Sequence, residues 1–332
     1  MPSLLVSVII PTHNRKELLV RCLDSLAAQT IKASQLEVIV VDDGSTDGTG
    51  DLLKGKKYSF QLKYLRIERT GPPNARNVGT KHASGEIVAF MDDDVVCHAD
   101  CIERAIPCFS QDNVAAVETN LLLEGTDRPL LKRSAVQGFI TAAIFFRRQV
   151  LIEIGGFDED FFDHHTGVFF RDDSDLGFRL LEAGYDAVQP EEVKAWHPMI
   201  FGTIASCFAH ARRYMFDPLL YRKHPRLFRS RLERKRIGPF SFGRPMHYGC
   251  ECYCAAVSAG GMALGMGFPS LAVICAALAV LPYFVVRFKF QGRQALQIWK
   301  LHHTLAFALL PWWYIYWFVR GCIKFDGCKS LV

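Results

Sequence analysis

Apolar runs that stop abruptly at carboxylates are the strongest constraint on what this chain can fold into. Val38-Ile39-Val40-Val41 runs into Asp42-Asp43-Gly44-Ser45, and Ile87-Val88-Ala89-Phe90-Met91 runs into Asp92-Asp93-Asp94. A third acidic cluster, Asp172-Asp173-Ser174-Asp175, opens a stretch with helical spacing. An uninterrupted apolar run bounded by turn residues reads as a parallel strand covered on both faces. Open α/β sheets bind ligands just beyond the carboxyl ends of such strands. Two sets of carboxylates in one crevice repel each other unless a cation or ligand donors sit between them. A hard divalent ion holding a diphosphate against a strand-end carboxylate resolves that conflict, and the third cluster can then supply a base. The pattern points to group transfer from a nucleoside-diphosphate donor.

The rest of the first half supports such a sheet. Residues 4–10 read as a strand ending in Pro11-Thr12-His13-Asn14, and residues 16–29 as a helix through Leu18, Leu19, Cys22, Leu23 and Leu26. Thr12 or Asn14 is placed to cap it. Strands over 37–41, 61–67 and 86–91 alternate with a helix over 75–82, which predicts an α/β class with a doubly wound, mainly parallel sheet. Mixed strands and a helix over 175–183, closed by Gly184, follow up to about Trp196.

Charge divides the chain unevenly. The net charge is only +5, yet the acidic clusters all precede residue 176, and a basic belt including Arg212, Arg213, Arg222, Lys223, Arg226 and Arg229 follows. Such a belt predicts contact with an anionic surface. Residues 252–286 carry no charge and are broken at Gly267-Phe268-Pro269. That length suits one bilayer crossing, which needs ~20 residues, or a hairpin of two short helices, but not two full crossings. Residues 304–319 form a second apolar segment with Trp312, Trp313, Tyr314, Tyr316 and Trp317, a density typical of a membrane interface. The alternative is a core helix pair. Positive residues on both flanks of 252–286 favour a hairpin that enters and leaves on the cytoplasmic face. The 11 cysteines contain no C-x-x-C pair and read as reduced thiols, and no cleavable leader precedes the first strand. The expected location is therefore membrane-associated, with the first domain cytoplasmic.

The motifs Val-Ser-Val-Ile-Ile-Pro-Thr-His-Asn (6–14), residues 40–46, Asn-Ala-Arg-Asn-Val-Gly (74–79) and Phe-Met-Asp-Asp-Asp (90–94) stand in an order that resembles glycosyltransferase family 2. So do Ile-Gly-Gly-Phe-Asp-Glu (154–159) and residues 172–179 with Gly184-Tyr185. The resemblance covers about two-thirds of the chain. It implies the GT-A fold, a nucleotide-sugar donor (UDP-linked by default), Mg²⁺ or Mn²⁺, and inversion at the anomeric carbon. It places Pro11, Thr12 and His13 around the nucleobase, Asp43 on the base, Arg76 near ribose or diphosphate, and Asp92 and Asp93 at the ribose and metal. Asp94 would bind the metal, with Asp92 and His197 alongside. Asp173 would be the catalytic base. The family usually shows Glu-Asp where this chain has Asp172-Asp173, so the reach of the first residue is shortened. Asp175 reads instead as an i+4 partner of Arg179, and His164-His165 as a solvated loop pair.

Two further expectations follow. The Q-x-x-R-W motif of processive members is absent, its nearest counterpart being His210-Ala211-Arg212-Arg213-Tyr214, so a single sugar is transferred. The acceptor is expected to be a lipid-linked or membrane-proximal glycan of cell-envelope polysaccharide biosynthesis, with no nucleic acid partner. The domain reading is a catalytic part over 1–236, with a nucleotide-sugar half to about 98 and an acceptor half from 99, then a membrane-associated helical region over 237–332. A non-catalytic nucleotide-sugar-binding scaffold is the competing class.

Overall fold

In the computed structural model, which describes residues 5–127, 129, 139–198, 203–232, 235–237, 240–242, 245–291 and 301–326, each apolar run becomes a buried strand. The first elements are β1 (Val6–Thr12), α1 (Lys16–Ala27), β2 (Leu36–Asp43), α2 (Thr49–Lys54), β3 (Gln61–Ile67), α3 (Pro72–His82), β4 (Ile87–Met91) and β5 (Val96–Cys97). There follow α4 (Cys101–Ala105), β6 (Val114–Glu118), β7 (Asn120–Leu123), β8 (Ala143–Arg147), α5 (Arg148–Glu153), β9 (Phe162–Asp163) and β10 (Val168–Phe169). Then come α6 (Asp172–Glu182), β11 (Asp186–Val188) and β12 (Lys194–His197). The main sheet has seven strands in the order β11-β6-β8-β4-β1-β2-β3, and β5-β12-β7 form a second. All main-sheet pairs are parallel except those of β8, which runs antiparallel to both β4 and β6.

The alternation of side chains explains why these strands are apolar throughout. Val8, Val38, Val40 and Ala89 point to one layer with Leu19, Leu23 and Leu26 of α1. Ile9, Ile39, Val88 and Phe90 point to the other, with Ala75 of α3 and Leu176 and Leu180 of α6. Both faces are therefore core, and each fully buried Val, Leu, Ile or Phe stabilises by about 1.5–3 kcal/mol relative to exposure. The packing of α3 on β1 is close: a Cβ on Gly79 would stand 2.3 Å from Cγ2 of Ile9. The in-register pairing of Thr12 with Asp42 brings the ends of β1 and β2 level, so the acidic turns share one edge of the sheet.

Two compact units divide the chain, Met1–Met199 and Ile200–Val332. The expected boundary at 236 thus falls inside the second unit. The reason is packing: α7 (Ile204–Arg212), α8 (Asp217–Lys223) and the turn between them lie against the last helix. The second unit continues with α9 (Pro225–Arg231), the hairpin of β13 (Lys235–Ile237) and β14 (Phe240–Phe242), then α10 (Pro245–Gly265), α11 (Pro269–Gln291) and α12 (Leu301–Lys324).

The uncharged stretch is a helical hairpin. α10 packs on α11, and the reversal falls where Gly267 adopts φ +81 and Pro269 begins the next helix. Outward from it stand Met262, Leu264, Met266, Phe268, Val273, Leu278 and Leu281, each more than half exposed. Among the described residues, no helix is long and apolar enough to cross a membrane. The aromatic segment expected at an interface divides by face. Tyr314, Trp317 and Phe318 are buried in the core of the second unit, whereas Trp312 and Tyr316 are exposed. Arg287, Lys289 and Arg293, the cations expected to flank the hairpin, have side chains outside the described residues.

Candidate active site

Most of the carboxylates at the strand ends are buried, and each is held by a donor, some of them shared. At the end of β2, Asp42 and Asp43 do different work. Asp42 closes the turn by accepting the Ser45 N–H at 2.6 Å, and its other oxygen takes the Tyr64 hydroxyl at 2.6 Å. Asp42, not Asp43, thus closes the Asp-Gly-Ser turn. Asp43 instead accepts the backbone N–H groups of Thr70 (2.7 Å) and Gly71 (3.0 Å), fixing the entry to α3. Its backbone carbonyl stands 2.8 Å from Nδ1 of His13. Pro11, Thr12, His13 and Asp43 thus lie together at the ends of β1 and β2.

Beyond β4, the three consecutive aspartates diverge. Asp92 Oδ1 accepts from an Arg76 nitrogen at 3.1 Å. Asp93 accepts the Thr12 hydroxyl at 2.7 Å and Arg15 at 3.1 Å, and burial raises its carboxyl to about 6 against those two donors. Asp94 Oδ2 also pairs with Arg15 at 3.1 Å, while its buried Oδ1 has no hydrogen-bond partner. Burial again raises this carboxyl above its usual range.

The orphaned oxygen faces His197. Nε2 of that ring lies 3.6 Å from Asp94 Oδ1, too far for a hydrogen bond. Nδ1 lies 2.9 Å from the carbonyl of Pro198, which can only accept, so Nδ1 carries a proton. In the neutral ring Nε2 then presents a lone pair to a carboxylate oxygen. Two electron-pair donors facing one another across such a gap fit a cation, and the carboxylate–imidazole pair suits Mn²⁺ or Mg²⁺. Asp92 does not join them in a preformed cage, because Arg76 engages it. Among the described residues, no group of three or more His, Cys, Asp or Glu side chains is arranged to hold a metal ion.

The third cluster lies at the start of α6, which begins at Asp172, three residues earlier than its spacing suggested. Negative side chains in a first helical turn are favoured by the exposed N–H groups there. Asp172 is buried and reaches Arg76 at 2.9 Å in spite of its short side chain. Burial lifts its carboxyl to about 7, opposed by Arg76. Asp173 is only half-buried, and its Oδ1 accepts the N–H of Ser174 at 2.6 Å. Burial raises its pKa too, with Arg171 pulling the other way. Asp175 is fully buried and paired with Arg179 at 2.7 Å, the i+4 bridge its spacing implied. His164 and His165 are exposed.

Arg76 is the residue whose place differs most from the expected one. Its side chain is 4% exposed, lies 5.3 Å over the Phe157 ring, and spans Asp92 and Asp172 rather than standing open to a nucleotide. Arg15 was not singled out from the sequence. The available signal was its place directly after Asn14, at the cap position of α1 beside the acidic strand ends.

The description Glycosyl transferase family 2 matches residues 7–175, just over half of the chain, a span that holds the three acidic clusters. The chain is 30% identical over 214 residues to Glycosyltransferase AglE of Haloferax volcanii, covering 58% of this chain and 66% of that one. It is 39% identical over 104 residues to a validoxylamine A glucosyltransferase of Streptomyces hygroscopicus, covering 31% of this chain and 25% of the relative. The matched part is thus less than two-thirds of these relatives' length. In structure, the chain is similar to mannosyltransferase PcManGT from Pyrobaculum calidifontis in complex with GDP-Man and Mn²⁺, with TM-score 0.57, 22% identity, and 98% and 88% of the two chains covered. S. aureus TarS 1–349 in complex with UDP gives TM-score 0.52 at 18% identity, covering 87% and 92%. At such identity the likeness is one of fold, the GT-A type that the motif order implied.

Proposed function

The chain belongs to glycosyltransferase family 2, and on that premise we propose that it is a metal-dependent, inverting enzyme moving one sugar from a nucleoside-diphosphate donor to a lipid-linked or membrane-proximal acceptor. The observation that carries this reading is the division of labour among the buried carboxylates. Asp94 and His197 face each other with unshared electron pairs, and Asp173 stands half-exposed at the head of α6.

Asp94 and His197 would hold Mg²⁺ or Mn²⁺, whose chemistry when bound is to neutralise the charge that builds on the departing diphosphate. Pro11, Thr12, His13 and Asp43 would line the nucleobase, and Asp43 is held in place by the N–H groups of Thr70 and Gly71. A carboxylate gripped in this way keeps lone pairs for a ring N–H donor. Asp93 lies between Thr12 and Arg15, where it connects the base side of the site to the metal side. Asp173 would take the proton from the acceptor hydroxyl as that oxygen attacks the anomeric carbon. Its raised pKa makes it a better base than an exposed aspartate, provided the pH keeps it ionised. Attack from the side opposite the diphosphate inverts the configuration.

The relatives' names support a nucleotide-sugar donor in general. PcManGT is described with GDP-Man and TarS with UDP or UDP-GlcNAc, so uridine and guanosine donors both merit trial. We place the enzyme at a membrane surface, contacting it through the exposed apolar hairpin of α10 and α11 and the exposed Arg222, Lys223 and Arg226, with the first unit on the cytoplasmic side. The test is release of nucleoside diphosphate from a panel of UDP-, GDP- and dTDP-sugars, with Mn²⁺ or with chelator, using lipid-linked acceptors in vesicles. Metal-dependent release with an inverted product by NMR is the expected result. A retained configuration overturns the mechanism.

A further inference from the structure

Arg15 stands where a cation is needed but is not itself part of the fold's interior. Its side chain is 49% exposed, yet one nitrogen lies 3.1 Å from Asp93 and 3.1 Å from Asp94, whose side chains are only 6% and 8% exposed. It is the terminal cap residue of α1 and follows Asn14, which is held in a left-handed conformation (φ +55) by bonds to Ser45 and Thr46. The root of the side chain is therefore fixed while its guanidinium reaches in from solvent.

The acidic run is shared out in an orderly way. Asp92, about a third exposed, is paired with Arg76, whose own side chain is only 4% exposed and also grips Asp172. Asp93 and Asp94 depend on Arg15, with Thr12 adding a hydrogen bond to the first and His197 lying 3.6 Å from the second. Only Arg15 in this set is both cationic and free to leave into water. Its contact with Asp94 uses Oδ2, so the orphaned Oδ1 facing His197 stays open.

Taking the metal-dependent reading above as its basis, we propose that Arg15 is an exchangeable placeholder cation that makes metal and donor bind as a unit. With no donor present, a divalent ion settling between Asp94 and His197 must share a carboxylate with a guanidinium. Like charges at this separation in a partly buried site oppose one another. Arg15 therefore weakens binding of the metal alone. A diphosphate brings negative charge that both cations can share, so the penalty disappears when donor and metal are present together. By linkage, Arg15 strengthens the effect of donor on metal and of metal on donor equally. The consequence is a site that stays ionically closed until both ligands arrive.

The test is Mn²⁺ binding followed by electron paramagnetic resonance on the full chain, with and without UDP or GDP, for wild type, Arg15→Gln and Arg15→Lys. Arg15→Gln is expected to bind Mn²⁺ more tightly than wild type when nucleotide is absent. The factor by which nucleotide tightens Mn²⁺ should fall on the order of fivefold or more, the lower end of usual coupling between sites. Arg15→Lys keeps the charge and should keep most of the coupling. Unchanged or weaker nucleotide-free binding in Arg15→Gln overturns the placeholder role while leaving metal dependence intact. Loss of all coupling in Arg15→Lys also counts against it, since charge would then not be the operative property. If wild type binds no Mn²⁺ with or without nucleotide, both this inference and the metal reading fall.

Discussion

Identical residue types meet opposite fates in the two units. Val38, Ile39, Val88 and Phe90 of the first are completely buried, whereas Val273, Ile274, Leu278 and Leu281 of the second are 56–73% exposed. In the first unit even carboxylates lie inside, Asp43, Asp93 and Asp172 among them, each held by an arginine, a hydroxyl or a backbone N–H. A sheet covered by helices on both sides has no apolar face left over. A pair of helices that are apolar all round buries only the strip where they touch. The contrast teaches that the first unit is complete in itself, while in our reading the second is completed by a lipid surface.

The steepest test of the first half of that contrast is Asp173→Asn. The change is nearly isosteric at a half-buried position, so folding and nucleotide binding should persist while transfer falls about 10²–10⁴-fold, the range for loss of a general base. Single-turnover kinetics with bound donor would measure it. Near-normal turnover would pass the role to Asp172 or to another group.

Packing gives the next largest effect. Gly79→Ala puts a methyl carbon 2.3 Å from Ile9 and must prise α3 from β1. Overpacking of this kind costs about 1–3 kcal/mol, visible as a lowered urea midpoint with unchanged slope. An unaltered midpoint would mean that the first unit is looser than its burial indicates.

Acidity should also separate chemistry from simple charge. Burial raises the pKa values of both Asp172 and Asp173, the former to about 7. The base works only when ionised, so kcat should climb as pH rises through a window above the ordinary carboxylate value of about 3.9, up to about tenfold per unit. A kcat that is already at its plateau at the ordinary carboxylate value would show that burial does not raise the base's pKa in the working complex.

The smallest stability effect belongs to the second unit. Leu278→Ser and Leu281→Ser, at 65% and 73% exposure, should each alter folding stability by no more than about 0.5 kcal/mol. Their combination should nonetheless reduce co-sedimentation with anionic phospholipid vesicles. Strong destabilisation without any change in sedimentation would mean that these side chains pack within the protein and that the contrast is false.

The main strands and the three acidic clusters could be read from the sequence because each is a local signal, a run with a sharp end. The break at Gly267-Phe268-Pro269 was legible for the same reason, and it is where α10 turns into α11. What escaped depends on distance. Nothing near Asp-Gly-Ser says that Asp42 closes the turn while Asp43 reaches Thr70 and Gly71, since that choice is made by β3 and α3 arriving alongside. The aromatics of α12 carry no mark distinguishing Tyr314, wholly buried, from Tyr316, half exposed. That distinction comes from which face the neighbouring helices cover. Arg15 was hidden because its partners lie 78 and 79 residues away.

The two-armed grip of Arg76 has a bearing on how this sequence can change over generations. One guanidinium joins Asp92 to Asp172, 96 residues beyond its own position, and its Nε has no partner of its own. Removing Arg76 leaves two neighbouring carboxylates without their cation, one of them buried, whereas removing either aspartate still leaves a one-to-one pair. Neutral drift is therefore closed most tightly at position 76, even though Arg76 need not touch a substrate. In a saturation library, position 76 should tolerate fewer replacements than 92 or 172, and the double-mutant interaction energies of Arg76 with each aspartate should be large and non-additive. Such positions look like catalytic ones in any tally of tolerated substitutions. Here one of the most intolerant side chains of the site would be a brace, and its apparent importance would report the history of the scaffold rather than the reaction.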